Sequence, residues 1–323
     1  MAKVSAPAEQ APSARRVADA ESILKRLDWH VVRRLDGLLQ GDYRSLFFGQ
    51  GLDLAEVREY QPEDDVRYMD WNVTARMGEP YVRQYMEDRE ITGWLLLDLS
   101  GSVDFGTTEL RKRDVVLDFA GVIARLLTRH GNRVGAILFS ATVDEVVPAR
   151  GGQLQALRVV HQVARPDRRW TPGATNLEQV LDHAAKTVRR RSLLFIVSDF
   201  ISAAGWEQPL ARLARRHEVV AVWVRDPREE EIPDIGPVVL QDAETGEQLY
   251  VETQDRRFRD RFRSLVEERR RQTERVFARN GVDVLHLTTA GDMARELGRF
   301  AMLRRQTRQR QAATFARAGA AHA

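Results

Sequence analysis

The sequence predicts an α/β fold: a Rossmann-like, doubly wound and mostly parallel central sheet, with an N-terminal helical and β extension and an inserted β-hairpin. Three observations lead there. The runs Trp94-Leu95-Leu96-Leu97 and Leu193-Leu194-Phe195-Ile196-Val197 are apolar without alternation, as a strand reads when helices cover both faces of its sheet. Strand-like runs alternate with amphipathic stretches of helical length from residue 92 to residue 304. Both apolar runs stop close to an acid, Asp98 and Asp199, and in a doubly wound sheet ligands bind beyond the carboxyl ends of the strands.

The elements follow in order. Residues 1–20 are rich in Ala, Pro, Ser and Arg with no apolar core, so they are not a secretory signal and read as a disordered tail. An extension over 21–91 begins with a helix over 22–39, whose apolar positions Ile23, Leu27, Val31, Leu35 and Leu38 share one face, with Gly41 as its stop. Gln61-Pro62 and the acids after it mark a turn, where Arg58, Glu59, Asp65, Arg67, Asp70 and Arg76 are expected to pair with one another and pin the segment to the sheet. A short strand over 81–85 leads into the buried strand that ends at Asp98.

The main domain spans 92–304. Thr107 or Thr108 is expected to cap a helix carrying Val115, Phe119, Val122 and Leu126, ended by Gly131. Strands are expected over 133–140 and, at the edge, 142–147, then helices over 152–163 and 176–188 and the buried strand 192–198. Next come a helix over 206–216 and a strand over 218–224. The runs 238–241 and 248–251 around Glu244-Thr245-Gly246 signal a hairpin. A charged helix over 254–280 stopped by Gly281, a strand over 282–287 and a helix over 292–304 close the domain. Residues 305–323 read as a flexible tail.

Composition excludes several classes of function. There is no cysteine, which rules out disulfides and Cys-ligated zinc and agrees with a cytoplasmic setting. No run approaches the ~18 apolar residues of a membrane span. Fifty basic residues face 47 acidic ones, a net charge of +3, which argues against direct nucleic-acid binding by bulk electrostatics. Only Lys3, Lys25, Lys112 and Lys186 are lysines, and the arginine clusters are interleaved with acids as on solvated helix faces.

The turn Asp98-Leu99-Ser100-Gly101-Ser102 gathers one carboxylate and two hydroxyls, hard oxygens that suit Mg²⁺. Such residues are also ordinary turn formers. Asp199 reaches the same edge if the two buried strands are neighbours. In the loop between them, Thr175 offers a third hydroxyl or is simply a helix cap, and Thr171 competes with it.

Taken together, Asp98, Ser100, Ser102, Thr175 ahead of Asn176-Leu177, and Ser198-Asp199 resemble the metal-ion-dependent adhesion site of von Willebrand factor type A domains. The stretch from Val57 to Arg67, with Asp70-Trp71 and Ala75-Arg76, resembles a bacterial family of unknown function, domain of unknown function 58, that carries such a domain and is associated with MoxR-type AAA+ ATPases. The two resemblances cover residues 45–305. They imply a sheet order of 3-2-1-4-5-6 with Asp98 and Asp199 on adjacent central strands. They also imply that Ser100, Ser102 and Thr175 coordinate Mg²⁺, or another divalent cation such as Mn²⁺ or Ca²⁺, while Asp98 and Asp199 act mainly through water. One position is then left for a client's Asp or Glu. Val103 stands where methionine is frequent, and Asn132 where an acid is frequent; neither touches the metal.

The function this implies is a non-enzymatic, metal-dependent protein-interaction module, an adaptor or chaperone partner of a MoxR-type AAA+ ATPase. The alternative is a Mg²⁺-dependent phosphoryl-transfer hydrolase. Such a phosphatase would place a second acid two residues after Asp98, where Ser100 stands. A Walker loop, a Gly-x-Ser-x-Gly elbow and a His-Glu-x-x-His pair are all missing. Phe105, Trp170, Phe200 and Trp206 flank the candidate ligands and either form an apolar rim for a partner or pack beneath the loops.

Overall fold

A computed structural model describes residues 12–39, 56–62, 64–84, 91–106, 110–165, 173–241 and 247–320. Gly41, Thr107, Thr108, Trp170, Thr171 and the hairpin turn at Glu244-Thr245-Gly246 lie outside them.

The chain enters through α1 (Pro12–Leu27), a π-helical turn (Asp28–Val32) and α2 (Arg33–Leu39). The buried positions are Ala20, Leu24, Leu27, Val32 and Leu35. The five-residue step from Leu27 to Val32 is what a π turn provides, and it buries Val32 beside the expected Val31, which packs against the same core half-buried. Leu38 is exposed, another departure from the regular spacing.

Strands β1 (Glu56–Glu59) and β2 (Tyr81–Gln84) pair antiparallel as a sheet of their own. Between them α3 (Trp71–Met77) is capped by Asp70, whose Oδ1 accepts the Val73 N–H at 3.2 Å. The expected Asp65–Arg67 ion pair is present, at 2.6 Å.

The central sheet holds β3 (Thr92–Asp98), β4 (Arg133–Phe139), β5 (Val143–Arg150), β6 (Leu193–Ser198), β7 (Glu218–Arg225) and, last in the chain, β10 (Asp283–Thr288), in the order β5-β4-β3-β6-β7-β10. Numbered within this sheet, the order is 3-2-1-4-5-6. Every neighbouring pair is parallel except β4 with the edge strand β5. The inserted hairpin, β8 (Pro237–Gln241) with β9 (Gln248–Glu252), stands apart.

Alternate residues of the buried strands serve opposite faces. Leu95, Leu97, Phe195 and Val197 join a core with α4 (Lys112–Arg129), α5 (Gln153–Ala164), the N-terminal helices and the start of α10 (Met293–Ala320). Trp94, Leu96, Leu194 and Ile196 join a second core with α6 (Leu177–Thr187), α7 (Glu207–Arg216) and Phe277 of α9 (Arg256–Arg279). Each such leucine contributes about 1.5–3 kcal/mol by leaving water, which is why these strands carry no polar side until they end.

Helix α4 starts at Lys112, later than a Thr107 or Thr108 cap would place it. Its first turn is closed by Asp114, whose carboxylate accepts the Arg111 N–H at 2.9 Å. Gly131 ends it as expected, in the left-handed region at φ 75°. Asn132, where an acid is frequent, accepts the Ile91 N–H at 2.9 Å and ties the starts of β3 and β4 together. Helix also runs through 12–20 and 305–320, where the sequence reading expects tails without structure. Both stretches are rich in Ala and Arg, which rank among the best helix formers.

Candidate metal centre

β3 and β6 are neighbours, with Leu97 opposite Val197, so Asp98 and Asp199 leave the sheet on adjacent strands at its carboxyl edge. Asp98 is fully buried. Its Oδ1 accepts the Ser100 N–H at 3.0 Å and its Oδ2 accepts the Ser198 hydroxyl at 2.6 Å, which fixes both the turn after β3 and the bond to the next strand. The Ser198 oxygen in turn accepts the Phe200 N–H at 2.9 Å. Above this pair, the Ser100 and Ser102 hydroxyls lie 3.1 Å apart. Val103 behind them is buried in the first core.

Thr175 is buried immediately ahead of α6. The capping is done by its neighbour: Asn176 Oδ1 accepts the Gln179 N–H at 3.0 Å, so Thr175 is not the N-cap. Ser202 anchors this loop to the segment after Asp199, donating to the Thr175 carbonyl at 2.8 Å and accepting the Leu177 N–H at 3.0 Å. The three chain segments predicted to supply oxygens are therefore tied to one sheet edge.

One group at this edge escaped the sequence reading. Lys112, the first residue of α4, is fully buried, and its Nζ donates to Asp199 Oδ2 at 2.8 Å and to Glu229 Oε1 at 2.5 Å. Asp199 Oδ1 accepts the Ile201 N–H at 2.9 Å. Glu229 belongs to α8 (Pro227–Glu230), a single turn after β7, and its other oxygen accepts the Asp226 N–H at 3.2 Å. The signal available beforehand was chemical: one of four lysines in an arginine-rich chain, set where a helix dipole disfavours a cation.

Burial sets the electrostatics. It pushes the Asp98 carboxyl up to about 7, with the Asp199 charge adding to the effect and the serine hydrogen bonds only partly opposing it. For Lys112, burial disfavours the ammonium, but the Asp199 and Glu229 carboxylates outweigh it and hold its pKa above the ordinary lysine value. Glu229 is raised, burial prevailing over Lys112.

Two of the four flanking aromatics, Phe200 and Trp206, pack beneath the loops rather than at a rim. Phe200 and Trp206 are buried, and with Trp223 and Phe277 they form a cluster in which the Phe200 and Phe277 rings meet edge-on at 4.9 Å. Phe200 holds φ at 55°, an uncommon conformation for a non-glycine residue, directly beside Asp199. Phe105 is exposed, at 38%, with the Lys112 ammonium 5.9 Å from its ring centre, and Trp170 lies outside the described residues.

Among the described residues, no three His, Asp or Glu side chains converge as metal ligands. A cation here would rest on the hydroxyls of Ser100, Ser102 and Thr175, backed by Asp98 and Asp199. That donor set suits a hard ion such as Mg²⁺.

The strand order and the placement of these loops at the carboxyl edge define a von Willebrand factor type A-like domain. The chain belongs to the family described as protein of unknown function DUF58, whose family model matches residues 56–272. Its relatives include the uncharacterized protein Rv1480 of Mycobacterium tuberculosis, 39% identical over 283 residues, covering 88% of this chain and 89% of the relative. The uncharacterized protein Mb1516 of Mycobacterium bovis matches to the same extent, 39% over 283 residues, with 88% and 89% of the two chains covered. Among solved structures, the conserved hypothetical protein BatB from Bacteroides thetaiotaomicron is 12% identical, with a TM-score of 0.45 over 67% of this chain and 99% of that one. An aerotolerance-related membrane protein from Bacteroides fragilis gives 12% and 0.44 over 64% and 94% of the two chains. No helix among the described residues is long and apolar enough to cross a membrane.

Proposed function

We propose that this chain is a non-enzymatic protein-interaction module that recognises an acidic side chain of a client through a divalent cation, Mg²⁺ in the first instance, and works as an adaptor of a MoxR-type AAA+ ATPase. The observation that carries the reading is the meeting of Asp98, Ser100, Ser102 and Asp199 at the carboxyl ends of two adjacent parallel strands, with Thr175 tied to the same edge. Ser100, Ser102 and Thr175 would hold the ion, and Asp98 and Asp199 would supply negative charge behind it. The cation supplies a Lewis-acidic position for an outside carboxylate. The chain's own residues do the rest: Ser198 and the Ser100 N–H orient Asp98, and Ser202 fixes the Thr175 loop.

Two features favour binding over catalysis. Asp98, the residue a phosphoryl-transfer enzyme would use as nucleophile, is fully buried with both oxygens engaged. The position two residues later offers a hydroxyl where such an enzyme needs an acid. The ATPase partnership rests on the resemblance of the segment from Val57 to Arg76.

The test is capture from the native lysate by purified chain, in Mg²⁺ and in EDTA, with wild type and Asp98→Ala. Retention of an AAA+ ATPase or an acidic client only with Mg²⁺ and Asp98 present is the expected result. Equal capture in all four conditions overturns the metal-dependent reading.

A further inference from the structure

Lys112 is a buried charge that the proposed function does not use. Its ammonium sits on Asp199 Oδ2, while Ile201 N–H occupies Oδ1, and the two oxygens of Asp98 are taken by Ser100 and Ser198. The acids at this edge are therefore already hydrogen-bonded within the chain, with a cation of the chain's own in contact with one of them. Glu229 is the second carboxylate on that cation, delivered from the end of β7. The Lys112 N–H donates to the Phe105 carbonyl at 2.9 Å, so the same residue also ties the end of the Ser100–Ser102 turn to the helix.

We propose that Lys112 is a tethered counter-cation that sets how tightly the edge takes a divalent ion and how strongly the loaded edge attracts an acidic client. The inference rests on the metal-binding reading above and deepens it. With Asp98 stripped of its proton, as it must be once an ion is held, the Asp98, Asp199 and Glu229 carboxylates and the Lys112 ammonium carry a formal charge of −2. A divalent ion brings it to zero, and a client carboxylate then meets a neutral cluster. Without the lysine charge, the same groups stand at −3, take the ion more tightly, and face the client as an anion. The ammonium thus weakens the grip on the ion and preserves the attraction for the client, because charges this close and this buried are little screened.

The test is Mn²⁺ binding to the full chain, followed by electron paramagnetic resonance of the free ion, with folding checked by circular dichroism in EDTA. Lys112→Met is expected to bind Mn²⁺ at least about tenfold more tightly than wild type, and Glu229→Gln about tenfold more weakly. Lys112→Met leaves buried Asp199 and partly exposed Glu229 without their cation and is the variant at risk of not folding. The double variant Lys112→Met with Glu229→Gln restores the formal charge of −2 and is expected to return to within about threefold of wild type. Unchanged or weaker binding in folded Lys112→Met overturns the proposal, as does a double variant that does not return toward wild type. If that single variant does not fold, unchanged binding by Glu229→Gln overturns it. Asp98→Ala separates the two ideas: loss of Mn²⁺ there with no effect of the Lys112 and Glu229 changes leaves a metal site without a tuning cation. Absence of binding in wild type and in every variant removes both.

Discussion

Asp98 has the more demanding environment of the two strand-end acids. Its carboxyl is pushed from 3.8 up to about 7 by burial and by Asp199, so in the ion-free fold it holds a proton that an unfolded chain would have lost. The raised value means that its contribution to ion-free stability is complete below pH 4 and is lost as the pH rises through about 7. A cation held at this edge, as proposed, would displace that proton. Affinity for Mg²⁺ is therefore expected to rise about tenfold per pH unit up to neutrality and then level off, and calorimetric titration from pH 5.5 to 8 measures this. Asp98→Asn should abolish the slope together with most of the affinity. At this scale, Asp98, Ser100, Ser102 and Asp199 were legible because a strand buried on both faces announces its own end. Lys112 was not, because it meets Glu229 across 117 residues of chain, a contact that no local pattern encodes.

Elements were legible where burial is symmetric and less so where one contact decides a boundary. The apolar runs of β3 and β6 could only be central strands, and their helices distribute to two cores as the alternation of Trp94, Leu95, Leu96 and Leu97 demands. The start of α4 could not be read, because Arg111 is an unusual residue at a helix start and the closing bond comes from Asp114. Between β4 and β5 the fit is close. A Cβ on Gly135 would stand 2.9 Å from the Trp94 ring and 3.0 Å from the Ala149 nitrogen. Neither a backbone atom nor a core indole yields readily, so Gly135→Ala should cost about 1–3 kcal/mol. Chemical denaturation checks this: the midpoint falls while the slope holds. A similar contact at Gly93 involves the end of the flexible Leu127 side chain.

At the scale of the whole molecule, ligand binding and folding are one equilibrium. If a divalent cation is held only by the folded edge, an excess of about a hundred times its dissociation constant adds about 2.7 kcal/mol, roughly 3–6 °C in the thermal midpoint of a chain of this size. Differential scanning calorimetry in Mg²⁺ and in EDTA reads that shift, and Asp98→Ala should erase it. A shift of equal size in the variant would place the ion elsewhere. The π turn at Asp28–Val32 bears on a different question, the history of the chain's length. A helix carrying Leu24, Leu27, Val32 and Leu35 on one face holds one residue more than a regular α-helical path between them requires. Such a surplus is how a helix absorbs a one-residue insertion without turning its downstream half away from its neighbours. A chain with one residue fewer between Leu27 and Val32 is expected to keep the same buried face on an unbroken helix. Deletion of the exposed His30 is therefore expected to leave the thermal midpoint nearly unchanged, which a melting curve of the deletion variant checks.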